Sequence, residues 1–145
     1  MNAGKFGGSF VFWALLSALF AGMTAILAKK GVQDVPSNLA MTIRVAVVLV
    51  FAASIAFATG QTGVKEINGK TWLFLTLSGI ETGASWLCYF RALQLGPVTK
   101  VAPIDKLSFV LAMILGVVVL HEKPNVNVVL GGILVVAGVL LTLKP

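Results

Sequence analysis

The sequence predicts an all-α integral membrane protein with five transmembrane helices, and three observations carry that prediction. Of its 145 residues, 58% are hydrophobic and only 11% are charged. Soluble domains average about 45–50% apolar and about 25% charged, and one soluble domain has no interior large enough to hide so much apolar surface. The apolar residues gather into five runs of roughly 20, the length that crosses a bilayer as a helix. Short polar segments carrying Gly, Pro or Asn separate the runs and leave no room for a soluble domain, so residues 1–145 read as one membrane domain.

Span one covers about residues 10–28, with Trp13 near one interface and Lys29-Lys30 at the other. Its length, and a lysine pair where a small-residue cleavage site would stand, separate it from a secretory signal peptide. Gly31 stops the helix, and Pro36-Ser37-Asn38 restarts the chain with Ser37 or Asn38 as N-cap. Span two covers about 39–59 and carries Arg44 roughly two turns inside its start. The connection Gly60–Lys70 is the most polar, and its Asn68-Gly69 pair marks a turn. Span three runs over about 71–90, and Gly96-Pro97 separates it from span four at about 98–120. Residues His121 to Asn125 make a tight loop with Asn125 as N-cap, and span five covers about 126–143. Five spans place the two ends on opposite sides of the bilayer.

The net charge of +6 does not point to nucleic acid. The basic residues stand singly or in pairs between apolar runs, where they snorkel to lipid headgroups. Lys5, Lys65, Lys70 and Lys123 fall on one side, against Lys29, Lys30, Arg91, Lys100 and Lys144 on the other. Four against five among the loops is compatible with insertion both ways up, although the embedded Arg44 and Lys106 lean toward the second side. One cysteine, Cys88, and one histidine, His121, form neither an intrachain disulfide nor a Cys/His metal cluster. With no phosphate loop and no hydrolase elbow either, neither an enzyme nor a cofactor or metal is expected.

Function should lie where ionisable residues sit at membrane depth, because these are costly and usually face protein or a water-filled path. Glu81 is in the middle of span three, and helical spacing aligns it with Ser85, Cys88 and Tyr89. A carboxylate in an apolar, protein-lined cavity can exchange protons near neutral pH, so Glu81 reads as a substrate- or proton-binding residue. The alternative is a structural hydrogen bond to a neighbouring helix. Asp105 and Lys106 follow Pro103, which lacks the N–H owed to Thr99 and should kink span four. Neighbouring residues point about 100° apart on a helix, so this pair is not expected simply to neutralise itself. Arg44, at similar depth, is a reasonable partner for Asp105, as part of a substrate site or of a structural ion pair. Trp86 and Tyr89 could stack on a ligand or belong to the interfacial belt. Gly79 and Gly83 form a GxxxG beside Glu81, and span five carries Gly131, Gly132 and Gly138; both sets suit close helix or dimer contact.

The stretch S-W-L-C-Y-F-R-A-L-Q-L-G-P-V-T-K-V-A-P-I-D-K-L-S, the L-H-E-K-P loop and L-G-G-I-L-V-V-A-G-V-L-L resemble an EamA domain of the drug/metabolite transporter superfamily. The opening W-A-L-L-S-A-L-F-A-G-M-T-A-I-L-A-K-K-G fits the start of that domain, and the resemblance covers most of the chain. Many members carry two such domains in inverted orientation. The resemblance therefore implies a five-span repeat that works as an antiparallel homodimer of dual topology, moving small organic metabolites or drugs by alternating access. Such sites lie near the midplane at the repeat interface. On that basis Glu81 is central, Ser85 and Trp86 line the cavity, and Arg44, Asp105 and Lys106 gather toward one mouth. The implied location is a bacterial inner membrane. A rival reading is an accessory or lipid-handling subunit that needs a different partner chain. Spans one and five also resemble the four-span small multidrug resistance transporters, but their span-one glutamate would fall near Ala21, which is no carboxylate. Glu81 and Asp105 would have to serve any proton coupling.

Overall fold

A computed structural model describes residues 3–64 and 67–144, so Lys65 of the charge comparison lies outside the described residues. Among the described residues all regular structure is helical: α1 (Ala3–Gly31), α2 (Ser37–Ala58), α3 (Gly69–Leu95), α4 (Val98–Asp105), α5 (Leu107–Leu120) and α6 (Val126–Leu143). Among the described residues four stretches are long and apolar enough to cross a membrane: Phe10–Gly31, Ser37–Ala58, Val98–Leu120 and Val126–Leu143. The chain is an all-α membrane protein. Five spans were expected, and α3 is the one that composition alone does not supply. Its 27 residues reach about 40 Å at 1.5 Å per residue, enough for a hydrocarbon core of about 30 Å. Lys70, Glu81 and Arg91, with a run of Ser, Thr, Gly and Gln, make it more polar than the others.

The chain divides into two compact units, Met1–Leu95 and Gly96–Pro145. In the first, α3 packs against both α1 and α2. Its core lies at one end: Ala25 and Ala28 of α1, Val32 just beyond it, and Phe90 and Leu93 of α3 are buried. Ala25 and Ala28 share a helix face, and small residues there let the backbone of α3 approach. α1 stops at Gly31 as expected. The N-cap of α2 is Pro36, without a side-chain cap bond, so the expectation of a Ser37 or Asn38 cap is corrected: Ser37 is already helical, and it is buried. α3 starts with the Asn68 side chain accepting from the Thr71 N–H at 2.8 Å, so the Asn68-Gly69 signal is a helix cap. It also runs past the expected end at residue 90, because no breaker intervenes before Gly96-Pro97.

A polar clasp closes the same end. The Lys29 ammonium donates to the Leu93 carbonyl, one of the last carbonyls of α3, which have no intrahelical partner and carry the negative end of its dipole. The Gln94 amide donates to the carbonyls of Val35 at 2.8 Å and Val32 at 3.3 Å, tying the α1–α2 connection to α3. Arg91 in turn donates to the Gln94 side-chain oxygen, Oε1, at 3.0 Å.

In the second unit α6 packs on α4 and α5. Pro103 lies inside α4, and the helix breaks three residues later at Lys106, where i→i−3 bonds replace the regular pattern. The Ser108 hydroxyl donates to the Asp105 carbonyl at 2.7 Å and satisfies one group that the break releases. α5 ends at His121 in the left-handed conformation (φ 55°), with the His121 and Glu122 N–H groups both reaching back to the Gly116 carbonyl, the latter at 3.1 Å; a left-handed residue closes the helix, with histidine where glycine is usual. Asn125 caps α6 as expected, accepting from the Val128 N–H at 2.9 Å. Gly132 is buried under Met113: a Cβ placed on it would lie 3.1 Å from the Met113 methyl carbon. Large apolar residues elsewhere stand exposed, such as Phe51 at 67% and Leu134 at 71%. Lipid covers such side chains at no cost.

Candidate functional site

A guanidinium in a membrane helix must find a partner or a route to water. Arg44 of α2 finds two aromatic rings on α3: its guanidinium carbon lies 4.2 Å from the Trp86 ring centre and 5.5 Å from that of Phe90. Residues four apart share a helix face, so α3 presents both rings to the same cation. The cation is drawn to the negative faces of the rings, within the roughly 6 Å over which the attraction holds. Among the described residues the guanidinium makes no hydrogen bond and no ion pair.

Beside Arg44 lies a cavity of about 370 Å³. Leu27, Ala28, Val35, Ile43 and Phe90 give it mostly apolar walls, and Thr24 and Arg44 add the polar groups.

Glu81 does not share this cavity. It is nine residues before Phe90, which is about 180° around a helix, so it stands on the opposite side of α3. Glu81, Ser85 and Cys88 lie within about 60° of one another and are all exposed. Among the described residues Glu81 has no hydrogen-bond or ion-pair partner. A Cβ on Gly79 or Gly83, beside it, would meet nothing within 4 Å, so among the described residues of its own unit this GxxxG makes no close helix contact. Gly131 and Gly138 are open in the same way, and among the described residues Gly132 is the expected packing glycine that is engaged.

Asp105 pairs with Lys106 at 3.4 Å, contrary to the expectation from ideal helical spacing. The break at Lys106 removes the regular 100° step and lets neighbouring side chains converge. Lys106 is exposed and Asp105 partly so, and such a pair contributes little to stability. Expectation joined Arg44 to Asp105; in the structure each has a partner in its own unit. Phe90 and the clasp residue Gln94 are the contributors that sequence reasoning misses. The available signal is the Trp86–Phe90 spacing of four residues on the helix that also carries Glu81.

Comparison with known proteins agrees with this architecture. The EamA-like transporter family matches residues 8–144. A Sinorhizobium protein described as "uncharacterized transporter in cobO 3'region" is 54% identical over 134 residues, covering 92% of this chain and 95% of that protein. The uncharacterized transporter YxxF of Bacillus subtilis is 28% identical over 141 residues, covering 94% of this chain but only 43% of its own length. No solved structure matches. Apolar helices of membrane-crossing length and a family match across almost the whole chain lead to one conclusion: this chain belongs to the EamA-like transporter family.

Proposed function

We propose that the chain is a carrier subunit that moves small organic metabolites or drugs across a bacterial inner membrane by alternating access, as an antiparallel homodimer. The observation that carries this reading is the exposed stripe of Glu81, Ser85 and Cys88 beside the open Gly79 and Gly83. A carboxylate facing hydrocarbon costs several kcal/mol, so that face turns toward protein or a water-filled path, and a second copy would supply the opposite wall. The match to less than half of the Bacillus subtilis relative leaves room in that longer chain for a second unit of this size. Here, two chains would take the place of two halves. Glu81 would bind substrate or the coupling proton, with Ser85 next to it. Trp86 would act by holding Arg44, while Asp105 and Lys106 would place charge near one mouth.

Paired reporters, one active only in the cytoplasm and one only outside it, fused after Pro145, test the assembly. Comparable activity from both is expected, and activity from one alone would refute the antiparallel dimer in favour of a different partner chain. For the site, Glu81→Gln in proteoliposomes offered a panel of labelled organic solutes should abolish transport or its pH dependence. If both persist unchanged, Glu81 is not central.

A further inference from the structure

The Arg44 cavity lies on the opposite side of α3 from the stripe assigned to transport, and it has the makings of a second, separate site. Its one charged wall is a guanidinium whose position is already set by Trp86 and Phe90. Stacking uses the faces of the guanidinium and leaves its N–H groups in the plane to donate. None of these donors has an acceptor among the described residues. The cavity also abuts the start of α2 through Val35, just before its cap, and Ala40 in its first turn. That 22-residue helix lacks a side-chain cap, and its N-terminal end carries partial positive charge. The remaining wall is apolar. A volume of about 370 Å³ falls at the lower end of the range for small-molecule sites, about 300–1,000 Å³.

We propose that this cavity binds an organic anion, with a carboxylate or phosphate group on the Arg44 guanidinium and an apolar body against Leu27, Ala28, Val35 and Ile43. Guanidinium and oxyanion match as a planar two-bond pair, and a low-dielectric wall strengthens the pair relative to water. A cation is repelled by Arg44, and a neutral amphiphile of the same length leaves the donors unpaired. The site therefore selects for charge. The same chemistry occurs in a free amphiphilic acid and in the headgroup of an anionic lipid, and the cavity serves either source.

The test uses the full chain with Trp86 as sole tryptophan (Trp13→Phe, Trp72→Phe) in nanodiscs of zwitterionic phosphatidylcholine. Octanoate is titrated, with octanol and octylamine as controls of equal chain length. Trp86 fluorescence, read beneath the guanidinium, should change saturably with octanoate alone. Arg44→Gln should weaken that binding about tenfold or more, as loss of a charged hydrogen-bond donor does. Arg44→Lys should fall between, since it keeps the charge without the planar fork. Should Arg44→Gln fail to fold, Ala40→Phe fills the cavity, leaves Arg44 and both rings in place, and should remove the octanoate response. Equal responses to octanoate and octanol, or unchanged octanoate affinity in Ala40→Phe, would overturn the proposal. A titration in discs containing phosphatidylglycerol separates the sources. Competition in proportion to that lipid identifies a lipid headgroup as the anion, and indifference to it identifies a free solute; both outcomes support the site.

Discussion

Arg44 and Trp86 should be coupled energetically, and the coupling should be measurable. The guanidinium carbon is 4.2 Å from the Trp86 ring centre, well inside the range of the interaction, and Arg44 is half-buried. Such contacts contribute about 0.5–1 kcal/mol when exposed and about 2 or more when desolvated, which places this one at roughly 1–2 kcal/mol. Phe90, at 5.5 Å, is near the limit and has the weaker ring, so its coupling to Arg44 should be about 0.5 kcal/mol. The experiment is a double-mutant cycle with Arg44→Met, Trp86→Leu and the double variant, unfolded by SDS in mixed micelles and followed by circular dichroism. A second cycle replaces Trp86→Leu with Phe90→Leu. Single-variant losses will mix packing with charge, and only the coupling term isolates the contact. A coupling below about 0.3 kcal/mol, the level at which independent sites add, would refute the assignment of Trp86 as the partner of Arg44. So would a larger coupling to Phe90 than to Trp86.

Two further outcomes concern the second unit. Gly132→Val should destabilise it by about 1–3 kcal/mol, the usual cost of overpacking, because the new side chain enters space held by the Met113 methyl at 3.1 Å and sulfur at 3.3 Å; mixed-micelle unfolding reads the loss, and a companion Met113→Ala should recover part of it. His121→Gly should stabilise by about 1 kcal/mol, since the left-handed conformation costs L-residues roughly 1–2 kcal/mol and glycine's entropy returns some of the gain. A rise in the thermal midpoint in detergent checks it, and a fall would mean that the imidazole makes a contact worth more than the strain.

How much was legible in advance follows the range of the interaction involved. Gly31 as the stop of α1, Asn125 as the cap of α6 and the break after Pro103 depend on a few neighbouring residues and can be read directly. The Pro36 cap and the five extra residues of α3 show the same logic at finer grain: a helix end is set by where a breaker or a partner stands. The Asp105–Lys106 pair is a local contact misjudged because ideal helical spacing was carried across a break. The transporter family was legible too, since its motifs lie in the order of the residues.

The amino-acid sequence by itself determined that the chain is helical and membrane-embedded, and that Glu81, Ser85 and Cys88 share one face of α3. Those properties come from composition and from a fixed 100° step per residue. Only the tertiary structure decided which side meets α2. Arg44 and Trp86 are 42 positions apart, and a helix buried in apolar surroundings carries no amphipathic pattern to say which face its neighbour takes. Packing of small residues at Ala25 and Ala28, together with the clasp of Lys29 and Gln94 on the last turn of α3, turns Phe90 and Trp86 toward Arg44 and leaves Glu81 facing outward.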